Sequence, residues 1–163
     1  MNSMHRVNGV RATIVRLFNT YGPRMRPDDG RVVPALISAA LAGEPLPLHG
    51  DGNQSRSFMY VDDLVEGLVR VGLDPASDGE VFNIGNPHEV TMRELAAEIA
   101  RAVGRDLPIE YVPGRPGDPQ RRRPDITKVT ASYGWEPTIS LEDGLGRTVA
   151  WFSQVSAPVS TQE

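Results

Sequence analysis

The sequence predicts an α/β fold, strands layered against helices, and three observations carry that expectation. Short β-branched runs alternate with segments of helical period, in the order strand, loop, helix, strand, strand, helix, strand, helix, strand, loop, helix, helix. The first and fourth strand-like runs, Val10 to Phe18 and Glu80 to Asn86, read as the buried kind that wants neighbours on both sides. The 163 residues are 39% hydrophobic and 23% charged with no cysteine, so one core of ordinary size is affordable without disulfide or thiol chemistry.

Taken in order, "VRATIVRLF" is a strand, and Asn19 to Gly30 is a loop broken by Pro23, Pro27 and "DDG". "RVVPALISAALAG" repeats apolar residues at helical spacing and stops at Gly43. "LPLHG" is short and extended, and "GDGNQ" is a tight turn. "SRSFMYV" alternates as a strand and runs into a helix, "DDLVEGLVRVGL", with Asp62 and Asp63 as cap and dipole partners. "EVFNIGN" is a strand and turn. "TMRELAAEIARAVG" opens on a capping box, Thr91 with Glu94, and ends on Gly104. "LPIEYVP" is a strand, and "GRPGDPQRRRPDI" an arginine-rich loop. A short helix then stops at Gly134, and a last one starts at Ser140 with Asp143 three residues on. No linker divides residues 1–153, and 154–163 is expected to be a disordered tail.

A net charge of -4 gives no general pull toward nucleic acid. No run approaches membrane-spanning length and no signal segment is recognised, so the expected setting is cytoplasmic. His5, His49 and His88 are scattered without metal-ligand spacing, and no metal is expected. Lys128 is the single lysine among 17 basic residues; forked arginines suit carboxylates and phosphates, although codon composition is the preferred account of the bias.

Three stretches can carry chemistry. "FNTYGPRM" closes a strand with Asn19, Thr20 and Tyr21 at its mouth, where α/β sheets form ligand crevices; read blandly, it is a turn. "GDGNQSRSFMYVDD" carries Arg56, which can clamp a diphosphate or form a surface ion pair. "GRPGDPQRRRPD" gathers Arg115, Arg121, Arg122 and Arg123 around Asp118. No G-x-G-x-x-G loop and no Tyr-x-x-x-Lys pair occurs anywhere in the chain.

These stretches, with "DGRVV", "VFNIGNP" and "YGWEP", appear in one order. That order resembles the C-terminal half of an extended short-chain dehydrogenase/reductase of the nucleotide-sugar group, from about Asn8 to Phe152. The resemblance is closest to UDP-glucuronate decarboxylase (UDP-xylose synthase), with dTDP-glucose 4,6-dehydratase and UDP-sugar 4-epimerase as near relatives. It implies part of a Rossmann-type fold, mainly its small substrate-binding subdomain, with the Gly-rich half absent. It further implies that Asn19 contacts the sugar diphosphate, and that Thr20 and Tyr21 pass the nicotinamide end of NAD. By the same resemblance, Val33 and Leu48 wall the nucleobase and His49 covers it. Arg56 and Arg115 hold phosphates, Asp118 the ribose, and Arg122 lies near the substrate.

The family's catalytic tyrosine and lysine have no counterpart, so no residue is expected to be catalytic and the chain alone is expected to be inactive. The expected ligand is a UDP-sugar or another nucleotide sugar. The expected partners are a separate N-terminal half or a second copy. The competing readings are a fragment of a dehydratase or an epimerase, a binding module without catalysis, and a degenerate remnant.

Overall fold

The structure is a computed structural model, and it describes residues 7–114 and 116–155. It is α/β, as expected, and its chain falls into two compact units. One comprises Met1–Thr20, Ser57–Glu89 and Arg122–Ile139; the other comprises Tyr21–Arg56, Val90–Arg121 and Ser140–Glu163. The units interleave, and four of the five changeovers fall inside the short strands β2 (Thr20–Tyr21), β4 (Ser55–Ser57), β7 (Glu89–Thr91) and β9 (Arg121–Arg122).

In the first unit, β1 (Ile14–Leu17) runs parallel to β6 (Val81–Ile84), with Val15 opposite Phe82 and Leu17 opposite Ile84. The strand is shorter than the Val10–Phe18 expectation, and it is half-exposed where a buried strand was expected. Only β6 pairs with it among the described residues, so its second edge gains no cover. Helix α2 (Val61–Leu73) and helix α4 (Thr127–Tyr133) pack on β6. Together they bury Met59 of β5 (Met59–Tyr60), Val71, Phe82, Ile84, Val129 and Trp135. Gly85 ends β6 against Phe18 and Pro124; a Cβ there would lie 2.8 Å from Pro124 Cγ and 2.9 Å from Phe18 Cβ, so only glycine fits.

In the second unit, β3 (Leu46–His49) runs parallel to β8 (Ile109–Val112). Helices α1 (Val32–Ala42), α3 (Met92–Val103) and α5 (Leu141–Val155) pack on one another and bury Leu36, Ile37, Leu95, Ile99, Leu145 and Phe152. The caps expected in this unit form. Thr91 and Glu94 exchange both capping-box hydrogen bonds, Ser140 Oγ accepts from Asp143 N–H at 3.1 Å, and Gly43 and Gly104 turn left-handed at φ 77° and 71°. Helix α5 runs to Val155, and the rest of the expected tail, 156–163, lies outside the described residues.

Asp63 departs from expectation. Helix α2 starts from Tyr60 with no side-chain cap, and Asp63 is buried with its carboxylate turned to the Thr138–Ile139 backbone instead. No helix among the described residues is long and apolar enough to cross a membrane.

Candidate functional site

The second unit holds the densest set of site candidates, around the turn between β3 and β4. Gly50 and Gly52 carry φ of 70° and 73°, and Asp51 accepts from both the N–H and the side-chain amide of Asn53, at 2.9 and 2.8 Å. Those two bonds hold the Asp51 carboxyl below the usual carboxylate range. A residue that sequence reasoning passed over fastens the turn from outside. Arg93, in the first turn of α3, donates from Nε to the Asp51 carbonyl at 2.8 Å and from its backbone N–H to the Gly52 carbonyl at 3.2 Å. Its guanidinium lies 5.2 Å from the centroid of the Tyr111 ring, within cation–π range. A Cβ on Gly52 would come within 2.9 Å of Arg93 Cγ, so the approach needs glycine. The spacing around Arg93 reads only as an exposed helical position, which is why no sequence signal marks it.

His49 leads into this turn and Arg56 leads out. His49 is exposed; its Nδ1 lies 3.0 Å from the Pro113 carbonyl, which only accepts, so Nδ1 carries the proton in that contact. Arg56 sits on β4 and its side chain is 8% exposed. It donates to the Ser55 carbonyl at 2.7 Å and to Asp118 Oδ1 at 2.6 Å. The Asp118 side chain is 38% exposed, so the pair is buried at the guanidinium end and wet at the carboxylate end. An anion reaching Arg56 would therefore have to share or displace Asp118.

The other candidates divide between the units. Val33 on α1 and Leu48 on β3 are 2% and 1% exposed, and both are core residues of the second unit. Tyr21 is 1% exposed, and its hydroxyl donates to the Leu141 carbonyl at 3.3 Å. Asn19 and Thr20 belong to the first unit. The Asn19 side-chain amide donates to the Ser57 carbonyl at 3.3 Å, the Asn19 backbone carbonyl accepts from Met59 N–H at 2.9 Å, and the Thr20 hydroxyl donates to the Phe18 carbonyl at 3.0 Å. Arg122 is an exposed residue of β9, and Arg115 lies outside the described residues. The structure thus pairs Arg56 with Asp118 in the second unit, and it sets His49 at the other end of the turn that Arg93 fastens. Among the described residues no three metal-ligating side chains cluster.

Comparison with known proteins sets this geometry in a family. The model of the NAD dependent epimerase/dehydratase family matches residues 1–85 of the chain. UDP-glucuronic acid decarboxylase 2 of Arabidopsis thaliana is 48% identical over 153 residues, which are 92% of this chain and 33% of that protein. Among solved structures, the UDP-glucose 4-epimerase of Thermotoga maritima, with UDP-glucose, superposes with a TM-score of 0.88 at 36% identity; the match takes in 94% of this chain and 49% of that one. The UDP-glucuronic acid 4-epimerase of Bacillus cereus, in complex with UDP-glucuronic acid and NAD, superposes at 0.87 and 31%, over 94% of this chain and 48% of that one. The chain therefore spans a third to a half of the relatives it matches, and it belongs to the NAD dependent epimerase/dehydratase family.

Proposed function

We propose that residues 1–153 are the nucleotide-sugar-binding part of a UDP-glucuronate decarboxylase-like enzyme. The complete enzyme converts UDP-glucuronate to UDP-xylose and CO2, and this chain is inactive alone. The observation that carries the choice is the 48% identity to a UDP-glucuronic acid decarboxylase over 92% of the chain, against 36% to the UDP-glucose 4-epimerase. The substrate residues of this reading are Asn19, Val33, Leu48, His49, Arg56, Arg115, Asp118 and Arg122. Arg56 supplies the forked cation for the diphosphate. The reading includes a cytoplasmic setting.

NAD is the family's cofactor, and when bound it supplies the hydride chemistry. The residues described here make a poor cradle for it. Tyr21 is packed away with its hydroxyl on Leu141, Thr20 bonds its own strand, and the 163 residues contain no Gly-rich phosphate loop. No tyrosine–lysine pair is present to move the proton either. In this reading those parts come from a separate N-terminal half, supplied by another chain or by an upstream reading frame.

Melting curves of the purified chain with UDP, and an assay with UDP-glucuronate and NAD, test the reading. The expected result is a UDP-dependent rise in Tm with Kd between about micromolar and low millimolar, roughly -8 to -4 kcal/mol, and no turnover. A folded chain whose Tm ignores UDP overturns the binding role, and turnover overturns the inactivity. An epimerase fragment is the second reading, favoured by the TM-score of 0.88; UDP-glucose raising the Tm more than UDP-glucuronate would select it.

A further inference from the structure

The turn between β3 and β4 is tied at both ends by backbone bonds. Gly50 N–H donates to the Val112 carbonyl and Ser55 N–H to the Gln120 carbonyl, both at 2.9 Å. Between those ties the backbone is of the adaptable kind, with positive φ at Gly50 and Gly52. Three bonds from the first turn of α3 select one setting. Met92 N–H donates to the Gln54 carbonyl and Arg93 N–H to the Gly52 carbonyl, both at 3.2 Å, and Arg93 Nε donates to the Asp51 carbonyl at 2.8 Å. The first two are backbone bonds that any residue but proline would supply at 92 and 93. The third depends on the arginine side chain.

That side chain is itself held. An exposed arginine on a helix ordinarily samples many rotamers. Here the guanidinium lies 5.2 Å from the centroid of the Tyr111 ring, which is 50% exposed on β8. Tyr111 stands opposite Leu48 in the β3–β8 register, and the Cβ that Gly52 lacks would meet Arg93 Cγ at 2.9 Å and Leu48 Cδ1 at 3.1 Å. Strand β3, strand β8, helix α3 and the turn therefore converge on one arginine. A half-exposed aromatic ring gains a purpose as its platform.

We propose that Arg93 is a positioning residue: through the Asp51 carbonyl it sets the turn that carries His49 at one end and Arg56 at the other, and so readies both for a nucleoside diphosphate. The ligand is that of the proposed function, on which this role rests, with His49 at the base and Arg56 at the diphosphate. Without the Nε bond the end ties and both backbone bonds remain, so the unit stays folded. What is lost is the single setting of residues 50–52, and binding then has to order the turn at a cost in affinity.

Calorimetric titration of the 163-residue chain with UDP tests the role. Arg93→Leu keeps the apolar stem and removes the donor, and it should weaken UDP about fivefold or more while circular dichroism stays that of the wild type. In a His49→Ala background the same substitution should change UDP affinity by less than about twofold, because its effect passes through His49. Tyr111→Leu, which leaves the charge of Arg93 in place, should reproduce the loss, and the Arg93→Leu, Tyr111→Leu double variant should bind no more weakly than either. Tyr111→Phe keeps the ring and should bind as the wild type does. UDP affinity unchanged in Arg93→Leu overturns the positioning role alone. A loss that persists in the His49→Ala background also overturns it, because Arg93 then acts as a remote charge or through the fold at large. So does a loss in Tyr111→Phe equal to that in Tyr111→Leu, because the ring face is then not what holds the guanidinium. A folded wild-type chain that takes up no UDP overturns the proposed binding role, and this role with it.

Discussion

Asp63 grips the backbone of Thr138 and Ile139 with both carboxylate oxygens. Oδ1 accepts from the Thr138 N–H and hydroxyl and Oδ2 from the Ile139 N–H, all at 3.1 Å, and the side chain is buried. The pair joins the start of α2 to the segment that follows Trp135 across 75 residues of sequence. Asp63→Ala leaves two backbone donors without their acceptor, and it should destabilise the chain by about 3 kcal/mol in urea unfolding. Asp63→Asn keeps one acceptor oxygen and turns an NH2 toward an N–H, so about 1–2 kcal/mol is expected. A cap role on α2 alone would predict about 1 kcal/mol for Asp63→Ala.

Gly67 faces Trp135 across the core of the same unit. A Cβ on Gly67 would lie 2.9 Å from Trp135 Cε2 and 3.1 Å from Ile84 Cγ2, and both neighbours are buried and cannot retreat. Gly67→Ala gains up to about 1 kcal/mol of helix propensity, and overpacking opposes it by about 1–3 kcal/mol. A net loss of about 1 kcal/mol is expected, followed by the fluorescence of Trp135. Ala at Gly72, where nothing lies within 4 Å of the added carbon, should be neutral or stabilising and serves as the control.

The capping box of α3 predicts a pH dependence with a definite sign. Backbone and then side-chain hydrogen bonds from Thr91 hold the Glu94 carboxyl below its ordinary value of 4.5. A depressed folded pKa contributes stability that is present above the unfolded value and lost as pH falls through the folded one. Thr91→Ala should lower stability by about 1 kcal/mol at pH 7. The gap between mutant and wild type should hold down to about pH 5 and shrink below about pH 4, as Glu94 takes up its proton and the box opens in both. Urea midpoints across that range check it.

Local signals were readable and long-range ones were not. The helices showed their ends because caps are written within four residues: Thr91 with Glu94, Ser140 with Asp143, and glycines at 43, 104 and 134. The strands β2, β5, β7 and β9 are two or three residues long, too short for any period, and "NTY" read as loop where Thr20–Tyr21 is strand. Asp63 beside a helix start looks like a cap, and only its burial against residues 138–139 shows otherwise. Arg56 and Asp118 were each singled out, but 62 residues separate them, and nothing local says that the two meet.

That meeting yields the prediction that separates the roles open to Asp118. The side chain of Arg56 is 8% exposed, and its counter-charge sits on an aspartate side chain 38% exposed. Asp118→Asn leaves the arginine with an amide; because the acid end is solvated, the loss should be about 1–2 kcal/mol rather than the larger cost of breaking a fully buried pair. If Arg56 receives a diphosphate, the anion then supplies the missing charge without a competing carboxylate. UDP should raise the Tm of Asp118→Asn by more than it raises that of the wild type. If Asp118 instead binds the ribose, UDP should raise it by less. Arg56→Lys keeps a charge but loses the fork, and it should cut UDP affinity about tenfold or more. UDP responses unchanged in both variants would leave the pair a structural clamp of β4 and remove the diphosphate from Arg56.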